Sequence, residues 1–325
     1  LKVELINTQK FDSKITSIDI IKSKENKSHC IIIGFENGTI EIFKWNIKQF
    51  EPIYKKQTHD LVFSVNATDI DMDDNEEAII TYISGDIKVF MKDKANLMEI
   101  SSISLGCTPT AICLANVSND KTNELIVSTQ DGALRAYGWF SGYLDKLAHK
   151  VLDKPIDIMK PIKSYTQRYS RILTSQENII KAYVYADDRL HEIYSISLDD
   201  AIKEMEIGDL DHDRTTEVII LDTKNNLKIY KQIQKGLDLV STLKLDKNFE
   251  RMNIINYKGQ DYLLLSKEDN ASICKINNNK IEPILKFKIK NHYERTLFTT
   301  MDVDDNTKIL IHTIDNIMEI FKIKD

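Results

Sequence analysis

The sequence predicts an all-β chain made of seven repeats of one four-stranded unit, and three observations predict it. An aromatic closes a strand at Phe43, Phe90, Tyr137, Tyr183, Tyr230 and Phe321, with Cys274 in the equivalent place of the sixth repeat, at intervals of 47, 47, 46, 47, 44 and 47 residues. Five residues before each stands a turn residue: Gly38, Gly85, Gly132, Asn178, Asn225, Asp269 and Asn316. A two-residue hairpin turn of the primed type needs positive φ, which Gly, Asn and Asp tolerate best. The chain has only 10 glycines and three fall in this register, so composition does not produce the match. Each turn also joins an apolar run to an alternating strand, most clearly in GDLDHDRTTEVIILDTKNNLKIY from Gly208 to Tyr230. Apolar hairpins recurring every 40–50 residues or so are the mark of propeller blades. The expected fold is a seven-bladed β-propeller of four-stranded antiparallel blades.

Taken in order, residues 1–10 (LKVELINTQK) read as one isolated strand, and the chain ends on IMEIFKIKD, in a blade that lacks its fourth strand. The N-terminal strand is therefore expected to complete the last blade, closing the ring and covering its open edge. The blades fall at about 14–57, 61–104, 108–152, 155–198, 201–245, 249–289 and 295–325, the last joined by 1–10, within a single domain over 1–325. The fourth and sixth are the least regular: KPIKSYTQRYSRILTS replaces an acidic loop in one, and Cys274 replaces the aromatic in the other.

Composition narrows the function classes. At 42% hydrophobic and 29% charged residues the chain can bury a large core, and its apolar runs, such as Cys30 to Ile33, are far too short to span a membrane. A net charge of −6 and a pI near 5.7 argue against nucleic acid or an anionic membrane as the main partner. The four cysteines form no CxxC pair, which suits reduced, buried thiols in a cytoplasmic protein.

Three loops share a finer pattern. Asp209, Asp211, Asp213 and Glu217 occupy relative positions 1, 3, 5 and 9; Asp69, Asp71, Asp73 and Glu77 repeat the spacing; Asn116, Ser118, Asp120 and Glu124 repeat it with weaker ligands. Alternate oxygens on a tight loop can converge on a hard cation such as Ca²⁺. They can equally accept the loop's own backbone N–H groups as Asx-type turns, and this bracing is the reading favoured here over bound Ca²⁺.

On GDLDHDRTTEVII, TDIDMDDNEEAII and ANVSNDKTNELIV the chain resembles the FG-GAP/VCBS-like repeat propellers, which include integrin α heads and intracellular scaffolds. In calcium-binding members a Gly commonly follows the third acidic residue, whereas Asp74, Lys121 and Arg214 stand there in this chain. The resemblance is greatest to propellers of ciliary-coat (BBSome) subunits and nutrient-signalling scaffolds, which tend to keep the acidic pattern without that Gly.

No motif supplies catalytic groups: there is no HExxH, GxSxG, P-loop or dinucleotide fingerprint. Two residues before each closing aromatic lie Glu41, Lys88, Arg135, Lys181, Lys228, Ser272 and Glu319, expected between neighbouring blades as snorkelling stems and inter-blade ion pairs. Trp139, Phe140 and Tyr143 cluster beside a loop on the rim of the acidic loops, either as an interface or folded back as a cap. The expected function is a non-enzymatic scaffold that binds protein partners with basic segments and has no required cofactor. The alternatives are an extracellular Ca²⁺-stabilised propeller for adhesion or carbohydrate binding, and an enzyme with a site at the central channel.

Overall fold

The computed structural model describes residues 1–22, 29–46, 49–93, 96–120, 122–163, 169–213, 215–233, 236–245, 249–277, 280–290, 296–304 and 307–324. They form seven antiparallel four-stranded sheets. Six contain four consecutive strands, within 15–57, 62–104, 109–151, 158–197, 202–244 and 251–288. The seventh combines three strands of 296–324 with Lys2–Lys10. The innermost strands touch neighbour to neighbour from the first blade to the seventh and back to the first, which closes the ring.

Closure follows the expected route. Lys2–Lys10 lies antiparallel to Ile317–Lys324, from Lys2 opposite Lys324 to Lys10 opposite Ile317. Just beyond, the Phe11 N–H donates to Asn316 O at 2.8 Å and Asn316 Nδ2 donates to Phe11 O at 2.7 Å. Every edge residue of Ile317–Lys324 that would face solvent thus has a partner strand.

The apolar runs become second strands. Cys30–Phe35, Glu77–Tyr82, Glu124–Thr129 and Glu217–Asp222 are buried at every residue, as continuous runs covered on both faces should be. The core is divided into seven clusters, one between each pair of neighbouring blades. One closing residue enters each: Phe43, Phe90, Tyr137, Tyr183, Tyr230 and Phe321, and Cys274 in the cluster between blades five and six. Burying one such aromatic contributes roughly 2–3 kcal/mol, so the 47-residue repeat is a repeat of inter-blade wedges.

Two expectations are corrected. The turns are of two lengths, not one. In blades one, two, three and five, three residues separate the strands, and the last has positive φ: Gly38 82°, Gly85 94°, Gly132 79° and Asn225 65°. A Cβ on Gly132 would stand 2.7 Å from Leu152 O, so glycine is required there by contact as well as by φ. In blades four, six and seven two residues suffice, and the left-handed one comes first: Glu177 54°, Glu268 51° and Asp315 48°. With one residue fewer, the chain must reverse at the first loop position, so Asn178, Asp269 and Asn316 do not carry the strain.

The residues two before each aromatic also pair within their own blade, not between blades. Glu41 meets Lys55 at 2.8 Å, Lys88 meets Glu99 at 2.9 Å, and Lys228 meets Asp222 at 3.5 Å. Adjacent strands are nearer than the next sheet, so the cross-strand partner is reached first. Ion pairs between blades occur on the innermost strands, where Lys160 meets Glu206 at 2.8 Å and Arg251 meets Glu204 at 2.5 Å.

Candidate functional site

The loops joining innermost to second strands open on one rim of the ring, and the three patterned loops lie there. Their carboxylates brace the backbone. In blade two the N–H of Asp73 donates to Asp69 Oδ1 (3.2 Å), that of Asp74 to Asp69 Oδ2 (3.0 Å) and that of Asn75 to Asp73 Oδ1 (2.7 Å). In blade three Asn116 Oδ1 accepts from Asn119 N–H at 2.9 Å and Asp120 Oδ1 from Thr122 N–H at 2.9 Å. The ninth-position glutamate reaches back to the loop in every case: Glu77 Oε2 accepts from Ile70 N–H (3.0 Å), Glu124 Oε2 from Val117 N–H (2.7 Å), and Glu217 Oε2 from Leu210 N–H (2.8 Å). Asp74 takes φ 70° at the loop position after the third acidic residue, so the sharp turn is made without Gly. Lys121 and Arg214, at the same position in the other two loops, lie outside the described residues.

The loops that look alike in sequence differ in charge. In blade five, oxygens of Asp209, Asp211, Asp213 and Glu217 lie within 4.8 Å of one another. Lys231 Nζ sits among them, 2.8 Å from Asp211 Oδ2, in contact with Asp213 Oδ2 and 3.7 Å from Glu217 Oε1. Strand register puts it there, because Lys231 stands directly opposite Glu217. Hydrogen bonding to Lys231 pulls the Asp213 carboxyl down to about 2, and the same contacts hold the Lys231 ammonium above its ordinary range. The loop is a carboxylate cage with its own ammonium inside.

Among the described residues, blade two has the cage without the ammonium. Asp69, Asp71 and Glu77 converge within 4.8 Å, and Asp73 stands outside that group. The pairing of Ala78 with Phe90 sets Met91 in the place that Lys231 takes in blade five. Burial, with Asp71, Asp73 and Asp69 adding to it, pushes Glu77 up to about 7. Glu217 is also raised to about 7, chiefly by burial, although Lys231 opposes the shift. In blade seven Lys308 is buried and meets Asp302, its partner on the adjacent strand, at 2.6 Å. Sequence reasoning missed Lys231, yet its signal was present: a lysine directly after the closing aromatic of blade five, where blade two has Met91.

The aromatic group divides. Trp139 is half-buried against the cluster between blades two and three, opposite Leu144, and acts as a cap. Phe140 and Tyr143 are opposite each other at the tip of the hairpin between Ala133–Phe140 and Tyr143–Val151, and are 42% and 52% exposed. Because Leu125 pairs with Tyr137, this tip lies at the same end of the blade as the 116–124 loop. An apolar tip therefore projects from the rim that carries the acidic loops.

The sequence matches no family model and none of the curated proteins compared with it. Its likeness to solved structures is one of fold. The crystal structure of Saccharomyces cerevisiae Sqt1 is similar over 100% of both chains, with a TM-score of 0.70 at 10% identity. BBS1N in complex with ARL6DN is similar over 99% of this chain and 97% of its own, with a TM-score of 0.75 at 10% identity. The chain is a seven-bladed β-propeller.

Proposed function

We propose that this propeller is a non-catalytic platform for protein partners, of the FG-GAP/VCBS-like type and cytoplasmic, engaged through the acidic-loop rim. The observation that carries the reading is the exposed pair Phe140 and Tyr143 on the same rim as the carboxylate loops. An aromatic anchor beside acidic loops suits a partner with a basic segment around an apolar contact. The complex of BBS1N with ARL6DN supports protein binding by a propeller of this shape. Four free thiols, three of them buried, support the cytoplasmic reading. The charged side chains cited on the innermost strands pair with each other across blades, which favours a structural over a catalytic role for them.

Calcium is a second reading for blade two alone. Asp69, Asp71 and Glu77 offer convergent hard oxygens with no lysine in register, the donor set that such a cation takes. In blade five a cation would have to displace Lys231.

The test is capture from native lysate by the wild-type chain and by the double variant Phe140→Ala, Tyr143→Ala. Loss of the captured proteins, with the melting temperature unchanged, is the expected result. Undiminished capture would show that this surface is not the platform. Trp139→Ala is the wrong probe, because it removes core packing.

A further inference from the structure

The inter-blade grooves on the outer side of the ring can be compared one with another. Four of them are lined by the outer strand of one blade and the later strands of the next. Where Phe43 closes the groove its volume is about 240 Å³; with Phe90 it is about 280 Å³, and with Tyr230 about 400 Å³. Between blades five and six, where Cys274 stands in place of the aromatic, it is about 740 Å³. Ser272 lies two residues earlier, where the three smaller grooves have Glu41, Lys88 and Lys228. Both of the side chains that fill the other grooves have thus been cut short in blade six.

Charge separates this groove from the rest as well. Its described lining holds Lys244, Lys267, Lys280 and Lys286 against the one acid Glu268. In the other three, acids balance or outnumber the lysines. Lys267 is paired with Glu268 at 3.5 Å; among the described residues Lys244, Lys280 and Lys286 have no ion-pair partner. On a chain of net charge −6 this is a local excess of the opposite sign. The floor is apolar, formed by Leu243, Leu265, Ile281 and Pro283 around Cys274. Burial pushes the Cys274 thiol up to about 11, so it serves as floor and not as nucleophile.

We propose that this groove docks an extended acidic segment of a partner protein, which inserts an apolar side chain where other blades carry their own aromatic. The site is distinct from the rim surface proposed above and takes a partner of opposite charge. Lysines spread from Lys280 to Lys286 cover about 20 Å of strand, the reach of an extended peptide and more than a single carboxylate head group spans.

The experiment is fluorescence anisotropy on the full chain with a labelled peptide of glutamates around a central phenylalanine. Binding by the wild type is expected, and Cys274→Phe, which fills the groove, should weaken it roughly tenfold or more while leaving the melting temperature equal or higher. Lys286→Glu should weaken it independently, so the result does not depend on one variant folding. The Phe140→Ala, Tyr143→Ala variant should bind as wild type does, which separates failure of this site from failure of the rim. Absence of binding to the wild type, equal binding by Cys274→Phe, or equal binding of a peptide with alanine for phenylalanine would overturn the proposal. Binding of decanoate without binding of the peptide would overturn it too, by making the ligand a small amphiphile.

Discussion

At the scale of single residues, the two acidic cages are a natural comparison. Lys231 neutralises Asp211 and Asp213 in blade five, whereas Met91 stands in the corresponding place of blade two. Lys231→Met should leave the blade-five carboxylates facing one another, costing about 1–2 kcal/mol and lowering the melting temperature by about 2–5 °C in EGTA. Millimolar Ca²⁺ should restore more stability to this variant than to the wild type, because the vacated cage now has the blade-two arrangement. Equal shifts in the two proteins would remove Lys231 as the internal counter-ion. Glu77 yields a pH prediction. Its folded pKa of about 7 lies above the ordinary 4.5, so the folded state holds the proton more tightly. That contribution is fully present below about pH 4.5 and is lost as pH rises through about 7. Glu77→Gln mimics the protonated form and can still accept from Ile70 N–H. Its melting temperature should fall less than that of the wild type between pH 5 and 8, and parallel curves would show that Glu77 titrates normally.

At the scale of the element, the hairpin was legible and its geometry only partly so. Gly38, Gly85 and Gly132 announce their turns because a left-handed residue in a three-residue loop is most cheaply a glycine. Glu177, Glu268 and Asp315 were not legible as left-handed positions, since the residue after each has the better turn chemistry. Loop length decides which residue bears the strain, and one residue more or less leaves the strands and their closing aromatics in register. The acidic loops show the same division. Their spacing was readable and their backbone bracing follows from short carboxylate side chains. Lys231, and the position of Asp73 outside the blade-two cluster, depend on cross-strand register and rotamer. The aromatic segment divides for a related reason, since alternation along Ala133–Phe140 turns Trp139 inward and leaves Phe140 outside.

For the whole molecule, ring closure is the property on which the rest depends. Removal of residues 1–10 would bare the Ile317–Lys324 edge, whose residues are mostly apolar, and would open the seventh blade. The truncated chain is expected to melt lower and to elute as dimers or larger species in size-exclusion chromatography with light scattering. A monomer of unchanged stability would mean that the ring does not rely on that strand. The sequence by itself determined the number of blades, the strand that closes the ring and the rim on which the acidic loops gather. Those follow from a period, and a period is a local property copied seven times. Only the tertiary structure decided which carboxylate cage holds a lysine, which aromatic is exposed and which groove stands open. Each of these depends on what a neighbouring strand or blade places opposite, and the missing aromatic at Cys274 becomes a groove only because blade five does not move in to fill it.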